Sequence, residues 1–129
     1  MRPLILSAIL IASLVFPALN SAQSTSLEDQ AYELNREGMV EMSQAAFEKA
    51  IEAFDKAAAL AKDYEILGRP LTYTPVFMAA WAGEKIGRVK EACGAYRRFL
   101  QIAPPDRVEA TKAEHAKEYL KRHCGSLRP

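Results

Sequence analysis

Apolar residues recur at helical spacing over residues 87–104, three or four positions apart, with charged and polar residues between them. The apolar positions are Val89, Ala92, Cys93, Tyr96, Phe99 and Leu100. Positions at this spacing lie on one side of a helix, so the pattern predicts an amphipathic helix with one buried face. Gly87 precedes it and suits a connection with positive φ, and Pro104 with Pro105 is expected to end it.

Two helices of the same kind are predicted in the first half of the chain. Ser26 is a candidate N-cap, followed by acidic residues in the first turn, for a helix over about 27–42. A second helix restarts after Ser43 and ends near Lys62. Its apolar face carries Phe47, Ala50, Ile51, Phe54, Ala57 and Ala58. Each helix has one apolar side, so the two are expected to pack together.

A proline marks the predicted start of a third helix. The linker over 63–73 contains Gly68 and a proline, which indicates an irregular connection. Thr74 before Pro75 supplies a cap and a first-turn proline, and this pair predicts a helix over about 75–86.

An acidic pair marks the predicted start of the last helix. Asp106 and Glu109 form a candidate capping box, which predicts a helix from there to about His123, closed by Gly125. This helix is expected to cover the apolar edge of the preceding hairpin and to turn a polar side, Lys112 included, to solvent.

Small and large residues occur in the same register in the two halves of the chain. They are Gly87, Ala92, Tyr96 and Pro104 in the second half, and Gly38, Phe47, Ala50, Phe54 and Ala57 in the first. This pattern resembles the tetratricopeptide repeat, in which two antiparallel helices form each unit. The resemblance implies an all-α fold of antiparallel helix hairpins in one domain over 23–129. Its expected parts are repeat 1 over about 27–62, the linker over 63–73, repeat 2 over about 74–104 and a capping helix over about 106–123.

The resemblance also implies a function, that of a non-catalytic adaptor that binds a peptide segment or protein partner in a concave groove. The groove would be formed by the first helices of the two repeats. The expected partner-binding residues are Tyr32, Asn35, Met39, Phe77, Met78 and Trp81. They are mostly apolar, and exposed apolar surface is typical of contact sites. In a second interpretation the linker over 66–73 folds over the groove and makes Trp81 part of the core.

Two other functions stay open at this level. A self-assembling structural module would bury the same surface in a homo-oligomer. A small envelope enzyme or metal carrier would use His115, His123 and Cys124. Histidines eight positions apart on a helix are separated by about 12 Å, which disfavours a shared ion. The sequence contains no phosphate-binding loop, nucleophile elbow or zinc-helix motif, so no catalytic residue, metal or cofactor is predicted.

The first 22 residues have the layout of an export signal. Arg2 precedes an apolar run over 4–19, and small residues follow. This layout predicts cleavage near Ala22 or Ser24 and a periplasmic or secreted protein without a stable membrane anchor. The alternative is that the run stays attached as an uncleaved anchor.

Charge divides the chain into two halves. Residues 23–67 hold ten acids and four bases, a net charge of −6, and residues 68–129 hold six acids and twelve bases, a net charge of +6. The bases are scattered over several helices of an exported chain, so nucleic acid is not an expected partner. The halves are either two solvated faces or a polar module that attracts a charged partner or stacks head to tail.

The chain contains two cysteines, Cys93 and Cys124. An oxidising compartment favours their pairing, which predicts a disulfide between the second repeat and the last helix. The alternative is that Cys93 is a small buried apolar residue and Cys124 a free thiol.

Overall fold

A computed structural model describes residues 26–63, 69–105 and 109–125. Within these ranges the chain forms five α-helices and no strand. They are α1 (Leu27–Ser43), α2 (Phe47–Asp63), α3 (Pro70–Lys85), α4 (Val89–Ile102) and α5 (Ala110–His123). Each helix packs against the next one along the chain, and α1 also contacts α3. The predicted all-α architecture of helix hairpins is therefore confirmed.

The first hairpin follows the sequence prediction closely. The Ser26 hydroxyl accepts a hydrogen bond from the Asp29 backbone N–H at 3.1 Å, which confirms it as the N-cap of α1. After α1 the chain turns through Ala45, which has a positive φ of 57°. The backbone N–H of Ala46 closes this turn by donating to the Glu41 carbonyl at 2.9 Å. Local capping and turn bonds thus set the ends of α1 and the entry to α2.

The start of α3 differs from the prediction. The helix begins at Pro70, five residues before the predicted start, with Arg69 as an extended N-cap residue. Pro75 therefore lies inside the helix, and the expectation that Thr74 caps it was wrong. An interior proline costs about 3 kcal/mol because it removes a backbone donor and crowds the preceding turn.

Burial explains why the helix nevertheless continues through that proline. Nearly every residue of α3 between Leu71 and Gly83 is buried, so this helix lies at the centre of the molecule. A helix that is apolar all round has no amphipathic stripe, and its extent is set by packing rather than by sequence periodicity.

In the second half of the fold, a tight turn precedes α4, and α5 begins later than predicted. Gly87 has a φ of 75°, which confirms the predicted left-handed connection before α4. The final helix α5 begins only at Ala110, and Glu109 is its N-cap residue without a side-chain capping bond. The capping box predicted for Glu109 is therefore absent, and its partner Asp106 lies outside the described residues.

Aromatic side chains hold α3, α4 and α5 together. Tyr96 and Phe99 of α4 are fully buried, and the Phe77 ring contacts both, with centroid distances of 5.6 and 5.0 Å. The Tyr119 ring of α5 lies 5.1 Å from that of Tyr96. Edge-to-face and tilted pairs of this kind add to the stabilisation that burial provides.

The structure leaves the predicted export signal untested, since residues 1–22 lie outside the described ranges. None of the five helices is long and apolar enough to cross a membrane.

Candidate functional site

One face of α1 presents two exposed apolar side chains on either side of an amide. Tyr32 and Met39 are 54% and 46% exposed, and Asn35 lies between them at helical spacing. The Asn35 Oδ1 atom is buried and has no hydrogen-bond donor among the described residues. The three residues predicted on α1 therefore share one face. That face is apolar at Tyr32 and Met39, and the Asn35 acceptor between them is buried rather than open to solvent.

The three residues predicted on α3 are less exposed than the groove interpretation requires. Phe77 and Met78 are only 6% and 5% exposed, so they are core residues, whereas Trp81 is half-buried against the same core. Two rings of α4 lie nearest to the Phe77 ring, at 5.0 Å for Phe99 and 5.6 Å for Tyr96, and the His115 ring of α5 adds to this cover at 6.1 Å. Periodicity on α3 alone does not show which side α5 covers.

The described part of the predicted linker forms the first turn of α3, and Trp81 is half-buried rather than part of the core. Tyr73, at the end of the predicted linker, is buried within the first turns of α3, and its ring lies 6.1 Å from that of Phe99. Residues 66–68 lie outside the described ranges. The described end of the linker thus joins the helical core, next to α4.

A shallow depression of the surface, wide open to solvent, lies between α3 and α5 and brings the three α3 residues together at one site. Its volume is about 360 Å³, and we call it the α3–α5 cavity. It is lined by Phe77, Met78, Trp81, Glu109, Thr111, Lys112 and His115. Its walls are therefore apolar on the α3 side and polar on the α5 side.

Two ammonium groups lie close to this cavity. The Lys85 Nζ atom is 5.3 Å from the centroid of the Trp81 ring, within the range of a cation–π contact. The Lys112 Nζ atom is 3.4 Å from a carboxylate oxygen of Glu109, which is itself largely exposed. The Lys112 side chain is 27% exposed and that of Glu109 68%, so solvent screens the pair on the carboxylate side and it contributes little stability.

The α5 wall of the site was missed from the sequence. The last helix was interpreted as a cap, with Lys112 turned to solvent. In fact Lys112 and His115 lie beside the buried Ala116 and Tyr119, at positions three or four apart that form the edge of the inner face. Helical spacing already places Lys112 and His115 at this edge, but only the packing of α5 against α3 shows that the edge faces a cavity.

A carboxylate connects the three helices behind the cavity. Glu84 Oε1 of α3 accepts a hydrogen bond from the Tyr96 hydroxyl at 2.7 Å and lies 2.8 Å from His115 Nε2. An ionised carboxylate only accepts, so the His115 tautomer that carries its proton on Nε2 is the one that bonds to it. Burial, and secondly this hydrogen bond, raises the pKa of Tyr96. Tyr96 therefore stays protonated and acts as a structural donor.

The cysteines are placed as predicted. The sulfur atoms of Cys93 and Cys124 are 2.00 Å apart and the Cα atoms 5.8 Å apart, which is disulfide distance. The pair joins α4 to the residue that follows α5. The carbonyl of Cys124 also accepts a hydrogen bond from the Arg97 guanidinium at 3.2 Å.

The three residues proposed for a metal carrier are not brought together. His115 bonds to Glu84, the His123 ring packs on Tyr119 at 4.6 Å, and Cys124 is committed to the disulfide. Over the ranges that the structure describes, no group of three or more His, Cys, Asp or Glu side chains could hold a metal ion.

Comparison with known protein families, with curated proteins and with solved structures gives no match for this chain. The tetratricopeptide resemblance therefore rests on the residues of this chain alone, and it stays a hypothesis about family and function.

Proposed function

We propose that this chain is a non-catalytic binding module of the tetratricopeptide type, which holds a peptide segment or protein partner in its groove. The observation that carries the proposal is the α3–α5 cavity, where the half-buried Trp81 adjoins the buried Phe77 and Met78. Ligand sites are concave and mostly apolar, with a few polar groups that fix orientation. Such sites run from roughly 300 to 1,000 Å³, so this small cavity suits one or two partner side chains.

The α1 face supports the same proposal. Tyr32 and Met39 are exposed, and a partner that covers them would remove apolar surface from water. In the proposed repeat arrangement this face and the α3–α5 cavity lie on the same concave side.

Two features support action outside the cytoplasm. The first 22 residues have the layout of an export signal. The cysteines lie at disulfide distance, and disulfides form and persist in oxidising compartments. We therefore place the module in the periplasm or outside the cell.

Trp81 provides a direct test, because it is the only tryptophan in the chain. Its ring lines the α3–α5 cavity, so its fluorescence reports on that site. Peptides selected from a random library on the immobilised protein should shift the Trp81 emission when they are titrated into it. No selected peptide, or binding that leaves the emission unchanged, would contradict the proposal.

A matched pair of variants on α5 controls this experiment. Thr111→Phe places a bulky ring at an exposed position that lines the cavity, and we expect it to abolish peptide binding. Glu114→Phe places the same ring at an exposed position of α5 that does not line the cavity, and binding should persist. Equal effects of the two variants would mean that the peptides bind elsewhere.

The metal-carrier alternative lacks a comparable observation. His115, His123 and Cys124 are each engaged with a different partner. Stoichiometric metal in protein purified without a histidine tag would revive that alternative.

A further inference from the structure

Exposed apolar side chains concentrate on the first helix. Within the described ranges, the exposed large apolar residues are Tyr32, Met39 and Val40 on α1, and Val89 at the start of α4. The same helix carries five acids and one base, a net charge of −4. Because its inner face buries only Ala31 and Gly38, α1 presents an apolar strip on an acidic background.

The α3–α5 cavity has the complementary character. Its α3 wall is apolar, and the ammonium groups of Lys85 and Lys112 lie beside it, against one lining carboxylate, Glu109, which pairs with Lys112. The charge of the whole chain is divided in the same sense, with −6 over residues 23–67, which include α1, and +6 over residues 68–129, which include both walls of the cavity. Two copies of such a molecule attract each other when the acidic part of one faces the basic part of the other.

We propose that the partner held at the α3–α5 cavity is a second copy of this chain, which inserts the Tyr32 and Met39 face of its α1. The acids of α1 then face Lys85 and Lys112 of the receiving copy. This inference rests on the proposed function and names the partner of the same site. The two surfaces are different, so two copies pair either reciprocally, in a closed two-fold dimer, or head to tail. The closed dimer stops at two copies, whereas the head-to-tail contact leaves one surface of each kind unused and continues to larger species as the protein concentration rises.

Sedimentation equilibrium of the purified full-length protein tests the proposal. The weight-average mass should rise with concentration between about 1 µM and 1 mM, the range of a contact built on a few side chains. Raising the salt concentration from about 50 to about 500 mM should weaken association several-fold, because the charges that steer the two copies are exposed. A protein that stays monomeric throughout this range overturns the inference.

Variants of each surface show whether these are the surfaces that meet. Tyr32→Ser with Met39→Ser removes the inserting face, and we expect the association constant to fall at least about tenfold. Val89→Ser removes an exposed apolar side chain from α4 and should leave the constant unchanged. Thr111→Phe blocks the cavity and should weaken association as strongly as the α1 variant, whereas Glu114→Phe should not.

A mixing experiment provides the sharpest result. The α1 variant keeps its cavity, and Thr111→Phe keeps its α1, so each is monomeric alone, but a mixture has one complete contact. We expect a one-to-one heterodimer in the mixture and no larger species. The proposal is overturned if both variants still associate as strongly as the wild type. It is also overturned if the two variants are monomeric and do not combine when mixed.

The two proposals fail in different ways. If the wild type is monomeric but selected peptides still shift the Trp81 emission, the second copy is excluded and the binding module stands. If the wild type is monomeric and no peptide shifts the Trp81 emission, both proposals are wrong.

Discussion

At the scale of single residues, Gly38 sets how closely the first two helices approach. A Cβ atom added there would lie 2.6 Å from Cε1 of Phe54, and the Phe54 ring is fully buried in the core. The glycine in α1 and the phenylalanine in α2 therefore act as a pair, and both belong to the positions that suggested a repeat.

We predict that Gly38→Ala destabilises the protein by about 1 to 3 kcal/mol, because overpacking outweighs the better helix propensity of alanine. Gly94→Ala is the matched control, since Gly94 lies in α4 and a Cβ there meets nothing within 4 Å. That change should stabilise the protein by about 0.5 to 1 kcal/mol. Urea denaturation of both variants measures the difference, and effects of the same sign would show that α1 and α2 are not in close contact at Gly38.

At the scale of helices, Glu84 joins α3 to the two helices that follow. Its Oε1 atom receives the Tyr96 hydroxyl of α4 and contacts His115 of α5. Removal of one of these partners leaves a partly buried carboxylate with one donor fewer, which costs free energy.

We predict that Tyr96→Phe costs about 1 to 2 kcal/mol at neutral pH and flattens the loss of stability at high pH. Burial and the bond to Glu84 raise the pKa of Tyr96 in the folded state above its ordinary value of 10.0. Above about pH 10 the unfolded chain releases this proton while the folded chain keeps it, so wild-type stability falls by up to about 1.4 kcal/mol per pH unit. Below that pH the contribution is fully present. Urea midpoints between about pH 9 and pH 11 would test this, and parallel curves for wild type and variant would contradict it.

We predict that loss of the disulfide costs about 3 to 4 kcal/mol, because the bond closes a loop with a sequence separation of 31 residues in the unfolded chain. Urea denaturation with and without reductant measures the loss in the wild type. The variant Cys93→Ala with Cys124→Ala should have the same urea midpoint as the reduced wild type, and reductant should not change that midpoint. An unchanged midpoint on reduction would mean that the pair does not form in solution.

The sequence predicted some helices far better than others, for physical reasons. The bounds of α1, α2 and α4 lie within about three residues of the expected ones, because their caps, their turns and their apolar stripes are local signals. The start of α3 was predicted wrongly for two reasons. A helix buried on all sides has no apolar stripe, and Pro75, which suggested a helix start, lies inside the helix. The start of α5 was missed because Glu109 is the cap residue itself rather than part of the first turn.

The residues of the candidate site were also predicted only in part. Tyr32, Asn35 and Met39 were found on one face of α1, since that relation depends only on helical spacing. The burial of Phe77 depends on how α4 and α5 pack against α3, and a pattern within one helix does not contain that information. The cavity is a property of two helices, and only the structure reveals it.

At the scale of the whole molecule, the export signal leads to a simple prediction. We expect protein recovered from the periplasm or the medium to begin near Gln23 or Thr25, because Arg2, the apolar run and the small residues that follow are typical of a cleaved signal. The mass of the intact protein measures the cleavage site. An intact N-terminus in the membrane fraction would instead show an anchored protein.

The order in which the helices pack also has a consequence for motion. Each helix contacts mainly its neighbours in sequence, so one end of the stack can open while the rest stays folded. The aromatic core and the disulfide lie in α3, α4 and α5, whereas α1 buries only Ala31 and Gly38. Amide hydrogen exchange should therefore be fastest in α1 and slowest in α4. The helix with the most exposed apolar side chains would then be the one that fluctuates most, and capture of α1 by a partner would slow exchange throughout it.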